Sequence, residues 1–391
     1  MNDKKSKLKI LFFHNTLPEY RIGWFQCLAQ EADIDFIFTN EMQNKKDYGF
    51  EIDYEKSANL KCTFLPNVKN GINELRDIMK NIEIYDFVEL PPIDSIREVI
   101  YSIYIVNRCK SEHIKCGYFW EKWEAPKEKQ PFERKVKNWI LRIIPRLIYK
   151  QTDIIFSVGR KNRDYFISNG VNEEKIKWIP DVSETPDCNY VDLRKKIGIS
   201  QDKKIVLYLG RILQQKGVRY LLRAFASLKP DVKNTTHLLI AGDGPDLITC
   251  RRLAQELKID NITFVGAVKP SERGNYFKQC TVFVYPVTYY KGRVDVWGLT
   301  INEAIQHGKI VIATEAVGSA YELIKNNING FILNVTEEEQ IIHKIANAIE
   351  KCDDKMISAA QIYDCELMKK YSFQNMAELY LTAIKSLDNK A

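Results

Sequence analysis

Two cations five residues apart follow a predicted buried strand near the middle of the chain. The run from Leu207 to Leu209 is apolar, Gly210 ends it, and Arg211 and Lys216 precede a helical pattern that begins near Val218. Glycine allows close backbone approach to a ligand, and a guanidinium fork and an ammonium can together bind a diphosphate. The spacing predicts an anion-binding loop. The alternative is a pair of solvated cations in an ordinary connection between a strand and a helix.

Two carboxylates eight residues apart, Asp295 and Glu303, form the second candidate group. Eight helical residues rise about 12 Å, which is comparable to the span from sugar to ribose in an extended nucleotide sugar. One carboxylate could therefore reach each end. Between them, a helix start around Trp297, Gly298 and Leu299 would offer free backbone N–H groups to phosphates. The alternative is an Asp that compensates the helix dipole and an unrelated, solvated Glu.

A third feature combines a glycine turn with a later glycine-containing segment. The apolar run from Leu239 to Ala241 ends in a turn with Gly242 and Gly244, and Val265 and Val268 lie in the sequence Phe-Val-Gly-Ala-Val further on. Glycine turns alone are structural more often than functional. The glycine turns are therefore informative only through their order and spacing relative to the two charged groups.

Taken together, these segments resemble the donor-binding half of the retaining GT-B glycosyltransferases of family 4, over residues 205–333. That family carries a GR…KG loop, a GxGP turn, an FxGxV segment and two glutamates separated by seven residues, in this order. All four are present here, with Asp295 in place of the first glutamate and Val296-Trp297 where Pro-Phe or Gly-Phe is frequent. The segment around residues 317–324 is similar to a bacterial cell-surface polysaccharide branch of the family.

The resemblance implies a role for each matching residue. Arg211 and Lys216 would bind the donor pyrophosphate, and Glu303 would bind the ribose hydroxyls. Val265 to Val268 would lie against the base, while Asp295 would contact the sugar and help catalysis. The predicted donor site is completed by the loop and helix-start residues Gly210, Gly242, Gly244, Trp297, Gly298 and Leu299.

In the first part of the chain, two predicted strand ends carry polar and aromatic side chains. Aromatic faces pack against sugar C–H groups, and carboxylates accept hydrogen bonds from hydroxyls. Glu121 is a candidate catalytic group, although the family's proposed mechanism gives the acceptor proton to the donor phosphate and needs no protein base. Solvated charges beside packed aromatic residues are the alternative. The predicted acceptor-binding residues are His14, Tyr20, Arg21, Trp120 and Glu124.

Alternating strands and helices must position all of these groups, which predicts doubly wound α/β domains. The resemblance implies the GT-B fold, with two facing Rossmann-like domains and a ligand cleft between them. We predict an acceptor-binding domain at 1–185, a donor-binding domain at 190–365, and a C-terminal helix at 366–391 that returns to the first domain. The predicted strands are 8–14, 34–39, 62–65, 85–90, 115–120, 154–158, 177–179, 204–209, 237–241, 262–264, 281–285, 310–313 and 330–333.

Composition sets limits on the class of protein. The chain has 391 residues, 45% of them hydrophobic and 28% charged, which suits two globular cores and excludes global disorder. Its nine cysteines form no CxxC pair, so we expect reduced thiols in the cytoplasm. No apolar run has the length of a signal peptide core or a membrane span. Asp33 and Asp35 spell a DxD pattern at a strand start, but no metal and no other cofactor is expected.

A basic segment at 127–150 holds eight Lys or Arg against two Glu, a net charge of +6. Its apolar residues recur at helical spacing, with Pro145 interrupting or bending the helix. We expect peripheral contact with anionic lipid at the inner face of the plasma membrane. A core helix with snorkelling cations is the alternative. Nucleic acid is disfavoured because the cations are confined to one apolar segment.

The resemblance predicts a retaining, metal-independent transferase that moves a hexose from a nucleoside-diphosphate sugar to a saccharide or lipid-linked saccharide in cell-surface polysaccharide biosynthesis. Two alternatives stay open. One is an inactive glycosyltransferase-like partner subunit, which the shorter Asp295 favours. The other is a GT-B epimerase acting on nucleotide sugars.

Overall fold

A computed structural model describes residues 7–40, 57–66, 68–93, 95–186, 188–335 and 337–387. Contacts divide the chain into two compact units: the first comprises 1–122, 136–181 and 372–391, and the second 123–135 and 182–371. The sequence boundaries placed 123–135 in the first domain, whereas its contacts are with the second unit. Trp123 Nε1, for example, donates to the carbonyl of Val296 at 3.0 Å.

The first unit is built on a seven-stranded sheet in the order β3-β2-β1-β4-β5-β6-β7, and all its pairings are parallel. Its apolar strands are mostly buried, as expected for a sheet covered on both faces. The strands are β1 Lys9–His14, β2 Asp33–Phe38, β3 Lys61–Phe64, β4 Phe87–Leu90, β5 Lys115–Phe119, β6 Ile154–Ser157 and β7 Ile176–Trp178. The helices up to this point of the chain are α1 Glu19–Glu31, α2 Val68–Ile78, α3 Ile96–Ser111, α4 Phe132–Gln151 and α5 Arg160–Ser168.

The second unit has a six-stranded parallel sheet in the order β10-β9-β8-β11-β12-β13. Its strands are β8 Lys204–Leu209, β9 Thr236–Ala241, β10 Ile262–Gly266, β11 Val282–Tyr285, β12 Ile310–Thr314 and β13 Gly330–Leu333. Its helices are α6 Leu193–Ile197, α7 Val218–Ala226, α8 Pro230–Asn234, α9 Leu247–Glu256, α10 Arg273–Gln279, α11 Leu299–Gln306, α12 Ala320–Leu323, α13 Glu338–Glu350 and α14 Asp354–Met368. Every predicted strand is present within a few residues of its predicted bounds, so the doubly wound fold class is confirmed.

The last helix, α15 Phe373–Lys385, belongs to the first unit although it follows the second along the chain. Ser372 caps it by accepting a hydrogen bond from the backbone N–H of Asn375. Tyr380 is fully buried, and its ring centroid lies 4.4 Å from that of Phe156 and 5.8 Å from that of Phe12. The helix therefore completes the aromatic core of the first unit.

Glu89 on β4 is a buried carboxyl that meets this helix. Its side chain is 1% exposed, and Tyr380 OH donates to its Oε2 at 2.8 Å. Burial raises the pKa of Glu89 from 4.5 to about 8, against the opposing effect of the Tyr380 hydrogen bond. The folded protein thus holds a proton that the unfolded chain releases at lower pH.

We expect Glu89→Gln to remove a pH-dependent loss of stability. Below pH 4.5 both states of the wild type are protonated, and as pH rises to about 8 only the unfolded state ionises, so the free energy of unfolding falls. The Gln variant lacks this loss and should become progressively more stable than the wild type toward pH 8, by several kcal/mol. Urea denaturation across this range measures the difference. Glu366→Gln, at an exposed position, is the control, and parallel curves for wild type and Glu89→Gln would contradict the prediction.

Candidate functional site

Three side chains meet where strands of the second unit end, and we call them the Lys216 cluster: Lys216, Tyr285 and Asp295. Lys216 Nζ lies 2.5 Å from both Tyr285 OH and Asp295 Oδ2. Tyr285 OH donates to the same carboxylate oxygen at 2.7 Å. Lys216 and Asp295 are 15% and 16% exposed. The structure thus brings together two residues that the sequence assigned to different motifs, and it adds Tyr285, the last residue of β11, which sequence reasoning missed.

The backbone holds Asp295 in a fixed loop. Its N–H donates to the carbonyl of Ala316 at 2.9 Å, and its carbonyl accepts from the N–H of Gly318 at 3.0 Å. Trp123 donates to the next residue, Val296. Asp295 is therefore fixed in two ways. Its backbone is hydrogen-bonded to the segment that follows β12, and its side chain contacts Lys216 and Tyr285.

The three glycine-containing segments predicted from the sequence lie against one another, through a backbone hydrogen bond and close backbone approach. The N–H of Gly242 donates to the carbonyl of Gly266 at 2.7 Å. A Cβ at Gly242 would lie 1.8 Å from the carbonyl oxygen of Gly210, and one at Gly244 would lie 2.4 Å from that of Ile212. Side chains at these positions would push the loops apart. The glycines are thus needed for close approach between loops, which brings the loop ends of β8, β9 and β10 together.

The remaining loop residues differ in exposure. Arg211 is exposed, while its carbonyl accepts a hydrogen bond from Tyr208 OH at 2.7 Å, so the backbone is fixed and the guanidinium faces solvent. Val265 is half-buried and Val268 is buried after the end of β10. Arg211 is accordingly available to an anion, whereas Val268 packs within the unit.

The helix start predicted near Gly298 is present. Gly298 has a left-handed φ of +87° and precedes the first residue of α11, Leu299, which is half-buried. A Cβ at Gly298 would lie 2.6 Å from Val317 Cγ1. Trp297 is 2% exposed and donates through Nε1 to Asn302 Oδ1 at 3.0 Å, so its side chain stabilises the helix start from the interior.

Glu303 lies inside α11 and is 3% exposed. Its Oε1 accepts from Ser183 Oγ at 3.0 Å and from Arg273 Nη1 at 3.2 Å, two partners for which the sequence carried no motif. Burial raises the pKa of Glu303, and the Arg273 charge opposes that rise. Its Oε2 is buried and has no hydrogen-bond partner among the described residues, so one oxygen remains to accept a ligand hydroxyl.

The helical span predicted from Asp295 to Glu303 is wrong. The rise of about 12 Å assumed that all eight residues from Asp295 to Glu303 are helical. Only those from Leu299 onward lie in α11, because Gly298 adopts the left-handed conformation and the preceding residues pair with the loop after β12.

A second charged group lies in the first unit, and we call Arg21, Glu121 and Asp181 the Arg21 cluster. Arg21 is 1% exposed; its Nη1 donates to Asp181 Oδ1 at 2.5 Å and its Nη2 donates to Glu121 Oε1. Burial and the neighbouring Asp181 charge raise the pKa of Glu121 to about 8, and Arg21 opposes the rise. Arg21 is thus committed to two carboxylates, and Glu121 is positioned by it at the end of β5.

The other predicted acceptor residues surround this cluster in part. His14 is buried, and burial together with the Arg21 charge lowers its pKa to about 3, which keeps the imidazole neutral. Tyr20 is half-buried, with its ring 5.3 Å from the Arg21 guanidinium. Trp120 is half-buried in the first unit, with Lys122 Nζ 4.5 Å from its ring. Glu124 is half-buried and belongs to the second unit.

The DxD pattern carries two separate pairings. Asp33 pairs with Lys61 at 2.5 Å, and Asp35 accepts from Tyr85 OH at 2.6 Å. Within 7–40 and the other described ranges, no group of three His, Cys, Asp or Glu side chains is arranged to hold a metal ion.

Helix α4 exposes an apolar stripe. Phe132, Val136, Trp139, Ile143 and Leu147 are between 41% and 76% exposed and recur every three or four residues. The alternative of a core helix is therefore wrong for this face, although Ile148 and Tyr149 on the other side are buried. The helix continues through Pro145. Among the described helices, none has both the length and the apolar content that crossing a bilayer requires.

Comparison with known proteins finds a family similarity in the second unit. Residues 191–362 match the family model described as glycosyl transferases group 1, as the resemblance predicted. An uncharacterised glycosyltransferase of Methanocaldococcus jannaschii is 27% identical over 241 residues, which are 61% of this chain and 58% of that protein. The alpha-monoglucosyldiacylglycerol synthase of Streptococcus pneumoniae is 36% identical over 126 residues, 32% of this chain and 27% of that protein. The chain thus matches less than two thirds of the length of these relatives.

Solved structures extend the likeness to both units. The crystal structure of Anabaena HepE in complex with UDP matches with a TM-score of 0.71, at 15% identity, over 97% of this chain and 100% of that protein. At this identity the match shows the fold, and together with the two parallel sheets it assigns the GT-B fold to the chain.

Proposed function

We propose that the protein is a retaining, metal-independent hexosyltransferase that uses a nucleoside-diphosphate sugar. The observation that carries the proposal is the Lys216 cluster, a cation and a carboxylate 2.5 Å apart beside three glycine loops that approach one another closely. The glycosyl transferases group 1 match over 191–362 and the UDP bound to Anabaena HepE support it. The acceptor is a saccharide or a lipid-linked saccharide. The similarity to the alpha-monoglucosyldiacylglycerol synthase of Streptococcus pneumoniae supports the lipid-linked form.

The proposed reaction breaks the bond between the sugar C1 and the diphosphate, whose oxygen takes the electron pair. Arg211, Lys216 and the N–H groups at the start of α11 stabilise the charge that develops on this leaving group. Glu303 accepts hydrogen bonds from the ribose through Oε2, which has no partner among the residues that the structure describes. The acceptor oxygen forms the new bond to C1 on the same face, and its proton passes to the leaving phosphate. Asp295 contacts the sugar.

Calorimetric titration with UDP and GDP, followed by a screen of nucleotide sugars for hydrolysis, tests the proposal. Binding of one nucleotide and slow hydrolysis of a matching sugar donor are expected, with the anomeric configuration retained, and with full activity in chelator. Binding without hydrolysis or transfer would indicate the inactive partner subunit. Absence of nucleotide binding would overturn the proposal.

We expect Arg211→Ala and Lys216→Ala each to weaken binding of the nucleoside diphosphate. Each removes a charge-assisted contact worth about 1.5 to 3 kcal/mol, which corresponds to roughly a 10- to 150-fold rise in Kd. Lys216→Ala also leaves Asp295 without its cation, so its effect should be the larger. Calorimetry measures both, with Arg252→Ala on the exposed side of α9 as the control. Unchanged Kd in both variants would remove the two residues from the diphosphate site.

We further propose that α4 binds the protein to the cytoplasmic face of the plasma membrane. The stripe from Phe132 to Leu147 supports this, because exposed apolar side chains insert between lipids. The net charge of +6 over 127–150 complements anionic headgroups, at about 1 kcal/mol per cation near the surface. A lipid-linked acceptor would be reached from this position.

Vesicle flotation should show binding to phosphatidylcholine vesicles that contain phosphatidylglycerol and little binding to those that do not. We expect the double variant Trp139→Ser, Ile143→Ser to lower the partition coefficient at least about tenfold, because two apolar side chains no longer enter the lipid. The matched control is Ile248→Ser, Ile362→Ser, which alters two side chains of the second unit that are 82% and 72% exposed. Equal losses in both double variants would contradict a specific role for α4.

A further inference from the structure

Tyr285 lies at the centre of the second unit's charged loop region. Its side chain is 4% exposed, and Lys216 Nζ lies 4.9 Å from its ring centroid. A Cβ built at Gly298 would lie 3.3 Å from Tyr285 Cε1, and one at Gly210 would lie 3.8 Å from Cε2. The ring therefore packs against the glycine of the cation loop and against the glycine that starts α11.

The phenol hydroxyl joins the two charged members of the Lys216 cluster. It accepts a hydrogen bond from Lys216 Nζ at 2.5 Å and donates one to Asp295 Oδ2 at 2.7 Å. A group between an ammonium and a carboxylate must both accept and donate, which a phenol does and a phenyl ring does not. Tyr285 thus fixes the two charges relative to each other.

This arrangement leaves specific atoms to a ligand. An ammonium has three N–H donors, and the contacts of Lys216 among the described residues use two of them. Both side-chain contacts of Asp295 within the described chain fall on Oδ2, so Oδ1 has no hydrogen-bond partner there. One donor of Lys216 remains for an anion and one oxygen of Asp295 remains for a hydroxyl.

We infer that Tyr285 is a positioning residue that holds Asp295 so that Oδ1 meets the donor sugar, while Lys216 keeps one N–H for the diphosphate. The inference rests on the proposed function. Asp295 has one methylene fewer than glutamate and therefore less reach, and its orientation must be correspondingly well defined. The hydrogen bond from a rigid, buried ring supplies that orientation, because the ring has little freedom between the two glycine loops.

Tyr285→Phe tests the inference, since it keeps the ring and removes the hydroxyl. We expect kcat to fall about 10- to 100-fold, because a hydrogen bond to a charged group is lost, while the Kd for UDP or GDP stays nearly unchanged. The wild type should bind the nucleotide sugar more tightly than the bare nucleotide. Tyr285→Phe should lose this difference in affinity. In an Asp295→Asn background, Tyr285→Phe should cause no further fall in kcat, because the two residues act through one contact.

Tyr276→Phe, a buried tyrosine on α10 outside the cluster, is the matched control and should behave like the wild type. An equal loss of kcat from Tyr285→Phe with and without Asp295 would overturn the inference. A rise in the Kd for UDP as large as the fall in kcat would also overturn it, because Tyr285 would then act on the diphosphate through Lys216. Nucleotide binding with neither turnover nor extra affinity for any sugar would overturn it too. A wild type that binds no nucleotide would instead overturn the proposed function.

Discussion

Arg21→Ala is expected to lower the free energy of unfolding of the first unit by about 3 to 5 kcal/mol. The guanidinium is 1% exposed and pairs with Asp181 and Glu121, and Asp181 is itself fully buried. Removing the cation leaves the Asp181 carboxylate in the interior, beside Glu121, without a counter-charge. It would have to take up a proton, admit water or disrupt the surrounding packing.

Urea denaturation of the variant measures this loss. Arg163→Ala, which breaks an exposed pair with Glu173 in the same unit, should cost less than about 1 kcal/mol and is the control. The triple variant Arg21→Met, Glu121→Gln, Asp181→Asn replaces all three ionisable side chains and should recover much of the stability. If Arg21→Ala cost no more than Arg163→Ala, the Arg21 cluster would not stabilise the unit.

Asp295→Asn is expected to lower turnover about 100-fold, by analogy with loss of a single electrostatic contact to a transition state. The Kd for the nucleoside diphosphate should stay the same or decrease slightly, because Lys216 loses its carboxylate partner and becomes freer for phosphate. Such a split between kcat and affinity is the sign of an interaction made mainly in the transition state.

Steady-state kinetics with the donor found by screening, together with calorimetry, measures the split. Asp354→Asn is the control, because Asp354 is 91% exposed and pairs with Lys204 at the surface. Transfer at the wild-type rate by Asp295→Asn would reduce Asp295 to a counter-ion of Lys216. Loss of nucleotide binding would show that the carboxylate supports the loop rather than the sugar.

The strands were predictable because both sheets are parallel and covered on both faces, so each strand appears as a short apolar run. Lys216 and Asp295 were found because charged residues at strand ends stand out against such runs. Tyr285 was missed for the same reason: as the last residue of Val282–Tyr285 it looks like another core aromatic. Its hydroxyl contacts Lys216, which is 69 residues away, and Asp295, which lies in a loop, and the sequence does not link these partners.

Contacts between side chains far apart in the chain could not be predicted from the sequence either. Asp181 lies in a polar stretch, and its partner Arg21 is 160 residues away. Ser183 and Arg273 converge on Glu303 from 120 and 30 residues away, and no spacing rule connects them. Periodicity predicts which side of a helix or strand is buried, but it does not say which buried polar groups become partners. The apolar stripe of α4 shows the further limit that an amphipathic pattern does not say whether protein or lipid covers the apolar face.

The position of α15 has a consequence for synthesis on the ribosome. The helix Phe373–Lys385 supplies Tyr380 to the aromatic core of the first unit, and Phe373 packs against Gly23 on α1. Every segment of the second unit is translated before residue 372, whereas the first unit lacks part of its core until α15 emerges from the exit tunnel. The unit translated first therefore completes its folding last. During elongation the core around Phe12 and Trp24 therefore lacks the Tyr380 side chain that packs on it in the folded protein.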